Sequence, residues 1–456
     1  MTKHRHGNET ICGGVPVAAR ALDEAHAAAW EAAQPDEGRR VVRIDLEASE
    51  FEWEFVPGQR TRAWGFNGQV PGPVLEAQVG DVLEIHLVNH LAEPTVVHWH
   101  GLRVPAAMDG TEMVQRPVGP GERFTYRFRV PDAGTFWYHS HYNETVQVER
   151  GLYGALIVRA PDEPVLDAER VLVLDDVALD RDGQVKPPGG WVESHDGREG
   201  DVRLMNGRQE PEIEVAAGQV ERWRIVNAAS ARYVRLSIGG RRFQVIGSGG
   251  GLIPAPVTVS DILLPAAGRA EIVVGPFAEG ETLLVETLPF NRGSFKSHRT
   301  SERFATVRVG PPRPSRARLP ARLRDIAPLV TGRVVPTREV RLGFGLGLRH
   351  GVEFNVNREQ HHQADPVRVG ELQVWDVVNR SPVDHPFHLH GFFFQVLEVN
   401  GGPVDHLSWE DTVNVPAFGR VRLAWVADDR PGGWMYHCHI LEHHAAGMMA
   451  HFDVVR

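Results

Sequence analysis

Near its C-terminus the chain reads His437-Cys438-His439, with His443 four residues on and Met448 five beyond that. A thiolate, imidazoles and a weak thioether are the donor set of a copper site that passes single electrons. Side chains alternate along an extended strand, so His437 and His439 point one way and Cys438 the other. Three consecutive residues can therefore serve two metal centres. Cys12 and Cys438 are the two cysteines of the chain. They form no CxxC pair, which argues against structural zinc, and a metal-bound Cys438 leaves no disulfide to expect.

Three further clusters place histidines at i and i+2, a spacing that puts both rings on one face of a strand. They are His98-Trp99-His100-Gly101, His139-Ser140-His141 and His385-Pro386-Phe387-His388-Leu389-His390-Gly391. Ten of the 23 histidines fall in these clusters and the C-terminal run, more than scattered core histidines would supply. The isolated His26, His195, His298 and His406, and the pair His361-His362, read as surface or packing residues.

The elements that must carry these residues repeat. Gly80–Asn89 (GDVLEIHLVN), Gly218–Asn227 (GQVERWRIVN) and Gly370–Asn379 (GELQVWDVVN) share a Gly and an Asn nine residues apart around an alternating strand. Upstream of them sit Phe66-Asn67-Gly68, Met205-Asn206-Gly207 and Phe354-Asn355-Val356 at similar offsets. Nine and eleven residues past the Asn stand His98 and His100 in the first copy, and His388 and His390 in the third. In the second copy those offsets land on Leu236 and Ile238, so the middle unit has the scaffold without the ligands. Tyr138-His139-Ser140-His141 matches Tyr436-His437-Cys438-His439, with the cysteine where the first copy has serine.

The remaining sequence agrees with an all-β chain: from Val41 onward, short alternating runs are broken by Gly, Pro, Asn and Asp. Its 456 residues allow about three domains. We place a leader at 1–40, β-domains at 41–162, 163–310 and 329–456, and a basic, proline-containing linker at 311–328. Alanine content favours a short helix over 19–33. Net charge is −10 without a Lys/Arg stripe, which argues against nucleic acid. No apolar run of about 18 residues predicts a membrane span, and no signal-peptide core is visible, so a cytoplasmic monomer is expected.

Together these motifs resemble the multicopper oxidases, specifically the bacterial three-domain laccase-like group built from cupredoxin-like Greek-key sandwiches. The resemblance runs from about residue 41 to 456 and implies four copper ions. Position by position, it implies His385, Cys438 and His443 as equatorial ligands of a type 1 copper with Met448 axial, Met449 being core. It implies His98 and His388 at a type 2 copper, and His100, His139, His141, His390, His437 and His439 at two type 3 coppers. Asp109, in Met108-Asp109-Gly110, matches the acidic residue that the family keeps near the type 2 copper. The sequence departs from bacterial relatives at His444, where a glutamate is common. Glu442 lies on the other side of His443, and strand alternation would point it elsewhere.

The implied reaction couples one-electron oxidation of a small reductant to four-electron reduction of O2 to water. Phenols and aromatic amines, meeting the edge of His443 or His385, are the expected substrates, in a pocket shaped by loops near 325–350. A metallo-oxidase acting on Cu(I), Fe(II) or Mn(II), or a pigment oxidase of the bilirubin type, is the alternative; seven methionines without a cluster weigh against a Cu(I) specialist. Intact ligand positions argue against a copper-free binding protein. The paired histidines and third domain argue against a nitrite reductase.

Overall fold

A computed structural model describes residues 10–12, 15–17, 38–295, 299–332, 334–347 and 351–456. The helix expected at 19–33 lies outside the described residues. In the leader, Thr10–Cys12 pairs antiparallel with Val15–Val17.

Alternating sequence becomes paired sheets, as the period of two requires. The first pair joins a four-stranded sheet built on Val41–Val56 to a second that holds β1 (Val97–His100) beside β2 (Gly134–Ser140). Seven- and five-stranded sheets follow in the middle of the chain. Two six-stranded sheets complete it, one holding β3 (His385–Leu389), β4 (Gly432–Cys438) and β5 (Met449–Val455). Each pair encloses its own core: Trp99, Tyr126 and Tyr138 in the first, Trp223 and Phe304 in the second, and Trp375, Trp425 and Trp434 in the third. A fully buried tryptophan contributes at most about 4–6 kcal/mol by area. A fourth apolar cluster cements first to middle, with Phe55, Trp137 and Tyr153 against Val173 and Val226.

The repeat has a structural cause. Each repeat asparagine is buried, and its side-chain amide donates to backbone carbonyls, one of them in the loop that leads into the next strand. Asn89 reaches Glu93 O and Val118 O at 2.9 and 2.8 Å, Asn227 reaches Arg232 O and Leu264 O at 2.8 and 3.0 Å, and Asn379 reaches Val383 O and Val415 O at 2.7 and 3.1 Å. In the first and third copies that strand carries the paired histidines. In the second, Leu236 and Ile238 fill the apolar core instead.

One repeat position is corrected. Asn67 and Asn206 take positive φ and accept a backbone N–H through Oδ1, from Glu47 and Val173 respectively. In the third copy Asn357 does this, accepting from Arg341 at φ 53°, whereas Asn355 does not occupy that turn. Asparagine tolerates the left-handed region better than most residues, and Asn357 stands 13 residues before Gly370 as Asn67 does before Gly80, so the turn selects the type at a kept offset.

Candidate metal centres

Strands β3 and β4 pair antiparallel with Phe387 opposite Cys438 and His388 opposite His437. This register sets Cys438 Sγ 3.4 Å from His385 Nδ1 and 3.6 Å from His443 Nδ1, with the two nitrogens 3.1 Å apart. The other ring nitrogens are already used: Nε2 of His385 donates to Ser381 Oγ at 2.7 Å, and Nε2 of His443 to His195 O at 2.9 Å. Both Nδ1 lone pairs therefore face the sulfur, the outer-shell arrangement that orients metal-bound imidazoles. Burial pushes the Cys438 thiol up and holds His385 down at about 3. Such a thiol ionises against a bound cation, and the three donors converge as one would require.

Met448 is fully buried in the same core as Cys438. Met449 begins β5, pairs with His437 and lines a cavity beside it.

The eight remaining cluster histidines meet between the first and third sheet pairs. His98 pairs across from His139, and His388 from His437. The two motifs then interleave, with His98 stacked on His390 at 4.0 Å and His100 on His388 at 3.8 Å. His141, His390 and His437 form one group of converging nitrogens. The rings of His100, His139 and His439 lie together with centroids 5.0 to 5.8 Å apart, and the nitrogens of His100 and His139 also converge with that of His98. His98 and His388 remain as a pair at 5.8 Å. The glycine closing each motif is required by close approach. A Cβ on Gly101 (φ 85°) would lie 2.5 Å from an Arg269 nitrogen, and one on Gly391 (φ 72°) 2.0 Å from the Trp434 ring.

The fit to copper rests on unpartnered atoms. Nδ1 of His98, His139 and His388 donates to the carbonyl of Asp109, Ser140 and Asp411, while Nε2 of each is buried with no partner. His141 is likewise held at Nδ1 by Glu144, 2.8 Å away, with Nε2 unpartnered. Buried polar atoms without partners are costly in a folded protein and call for a ligand. Burial and mutual repulsion hold His100, His139, His390, His437 and His439 well below the ordinary imidazole range. Neutral imidazoles with inward lone pairs suit copper.

Asp109 is buried among them. Oδ2 accepts from His390 Nδ1 at 2.8 Å, and the backbone carbonyl holds His98. Gly110 makes this turn possible, since a Cβ there would sit 1.7 Å from Val97 O. Oδ1 has no hydrogen-bond partner.

Several functional neighbours were not legible in the sequence. Asp411 accepts from His100 Nε2 at 3.1 Å, and its carbonyl holds His388. Its own partner is Arg269 of the middle unit, at 2.7 Å through Nη1. Glu144, on α1 (Glu144–Gln147), takes His141 on one oxygen and His444 Nδ1 on the other, at 2.7 Å. An acidic residue three after His141 was a visible signal; an arginine from the middle copy offered none.

Other expectations change. Residues 441–445 form α3 (Leu441–Ala445) rather than strand, so Glu442 does not follow strand alternation. It turns to the middle unit and accepts from Arg198 N at 3.0 Å. His195, on α2 (Trp191–Asp196), is not a bystander, because its carbonyl holds His443. His361 lines a cavity of about 190 Å³ with Glu112, Glu144 and His444, while His406 is exposed as expected. His443 and His385 have no exposure, so a reductant does not meet their ring edges. The physical reason is α2, laid over His443, with Phe354 stacked on the same ring at 3.8 Å.

Comparison with known proteins matches this geometry. Three multicopper oxidase family models match residues 47–163, 176–281 and 345–456. The multicopper oxidase MmcO of Mycobacterium tuberculosis is 32% identical over 97% of this chain and 93% of its own length. Among solved structures, a multicopper oxidase from Campylobacter jejuni described as a metallo-oxidase is 32% identical, with TM-score 0.82 over 91% of this chain and 92% of that one. McoA from Aquifex aeolicus is 28% identical, with TM-score 0.82 over 92% and 98%. With that identity across nearly the whole chain, and with the paired sheets and histidine clusters in place, the chain belongs to the multicopper oxidase family.

Proposed function

We propose that His385, Cys438, His443 and Met448 hold the type 1 copper of this oxidase, that His98 and His388 hold the type 2 copper, and that His100, His139, His141, His390, His437 and His439 hold the type 3 pair. The protein is a copper-dependent oxidoreductase using O2, with four coppers as its family cofactors. When bound, they supply single-electron transfer at the sulfur site and a place for O2 to be reduced at the imidazole sites. The chain's own residues do the rest. Cys438 joins the two sites by covalent bonds through His437 and His439. Asp411 and Asp109 orient the imidazoles, and burial of every cluster histidine keeps bulk water out.

For the reductant, we propose phenols and aromatic amines. The observation that carries this is an exposed aromatic patch on α2, directly outside His443: Trp191 is 54% and the neighbouring Phe295 61% exposed. A second reading, oxidation of metal ions, is favoured by a cavity of about 440 Å³ beside α2 and α3 that Glu193, Glu353 and Glu442 line. The metallo-oxidase from C. jejuni is a relative that fits it. Steady-state oxidation of a phenol, an aromatic amine, Cu(I) and Fe(II) by the copper-loaded protein, with O2 uptake recorded, separates the two. Organic turnover at one O2 per four electrons is expected; turnover confined to metal ions would reverse the order.

A further inference from the structure

The sealed His443 raises the question of where an electron enters. Three exposed or half-buried rings surround one buried imidazole: Trp191, Phe295 and Phe344 lie 5.6, 4.7 and 6.0 Å from the His195 ring. Trp191 is nearly parallel to His195, at 24°, while more than half of its surface stays in water. Offset stacking of this kind leaves an aromatic face open to another ring. Behind it, the His195 carbonyl accepts from His443 Nε2 at 2.9 Å. A single residue thus touches both the surface rings and one of the two imidazoles beside Cys438.

Asp196 ties the platform together. Asp196 accepts from His195 Nδ1 through one oxygen and from Phe295 N through the other, both at 2.7 Å, and its carbonyl accepts from Arg292. A fixed, exposed aromatic group of this sort is not needed by the core, since all three rings lie outside the main apolar clusters. Exposed apolar groups that adjoin one another, as Trp191 and Phe295 do at 5.3 Å, mark interaction sites.

We propose that Trp191 and Phe295 dock a planar, single-ring aromatic reductant, and that His195 links this platform to His443. The inference rests on the reading that aromatic molecules are the reductants. A docked phenol would lose one electron inward past His195, to the copper that His385, Cys438 and His443 would hold, and its hydroxyl proton to the surrounding water, leaving a phenoxyl radical. Four such oxidations match one O2 and four protons taken up to give two waters. Trp191 and Phe295 bind, and His195 positions His443 as well as bridging to it.

The test uses the copper-loaded full chain with Trp191→Ala and Trp191→Phe. Binding of benzamide, an aromatic ring that this chemistry leaves unoxidised, is read by saturation-transfer magnetic resonance, and KM and kcat are measured for a phenol. The expected result is a rise in phenol KM of about three- to tenfold in Trp191→Ala, with loss of benzamide signal and recovery of both in Trp191→Phe. An unchanged blue absorption shows that the copper site is intact. Equal KM and equal benzamide signal in wild type and Trp191→Ala would overturn the proposal while leaving aromatic oxidation standing. Benzamide binding lost in Trp191→Ala, in an enzyme that turns over metal ions alone, would instead keep the platform and remove the aromatic-substrate reading.

Discussion

At the scale of single residues, the candidate ligands are side chains whose second atoms are already occupied. His98 and His390 are both steered by Asp109, one through its carbonyl and one through its carboxylate. Asp109→Asn keeps the carbonyl contact and the shape but removes the charge that faces His390. Loss of one such orienting partner costs about 10- to 100-fold in activity or metal affinity. The check is kcat for a phenol alongside copper content, and the expected outcome is a fall in kcat with the blue absorption unchanged. The ligand candidates themselves were legible, because i, i+2 spacing on a strand and the offset from the repeat asparagine are local properties. Asp109 was legible through the family resemblance, since an Asp-Gly turn alone is common. His195, Glu144 and Asp411 were harder to see: their roles depend on where their backbone or carboxylate oxygens fall after folding.

At the scale of elements, the middle unit has exchanged ligands for support. Arg269, on the strand Arg269–Val274, donates to Asp411 of the third unit, to Gly249 O of its own and to Thr135 O of the first, at 3.3 Å for the last. Burial would raise the Asp411 carboxyl, and Arg269 with His100 and His388 overcomes this and holds it well below the usual range. Arg269→Met leaves that carboxylate buried without its cation, at about 3–5 kcal/mol of stability. Copper analysis should then find the imidazole sites depleted and the blue absorption retained, with Arg269→Lys intermediate. Two residues along the same strand, Glu271 accepts from Thr135 Oγ1 and Arg224, both at 2.7 Å, and from Arg222. Burial alone would raise this carboxyl, yet the two arginines bring it down to about 2. A folded-state value below the unfolded one contributes stability above about pH 4.5, which is lost as pH falls toward 2. The contribution is about 3 kcal/mol. Acid unfolding followed by circular dichroism should be less steep between those pH values in Glu271→Gln, which is also less stable at neutral pH. The repeat had announced a blank copy of the β-domain, but strand periodicity says nothing about which charged groups meet between copies.

At the scale of the whole molecule, two separated segments close one site. The cluster lies where β1 and β2 of the first sheet pair meet β3 and β4 of the third, with some three hundred residues of chain between the motifs. Sequence register made this meeting inferable, because the first and third copies carry complementary histidine pairs and neither completes a site alone. The covering of His443 by α2 was not inferable, since it depends on a short helix from the middle unit reaching across the interface. The central claim is that Cys438 belongs to one copper site and its two flanking histidines to another. The most direct measurement is copper content with visible absorption for the wild type and Cys438→Ser. Four coppers per chain should fall to three, with the blue absorption lost and the sites built on His437 and His439 still filled. A Cys438→Ser protein that stays blue, or one that keeps all four coppers, would contradict it.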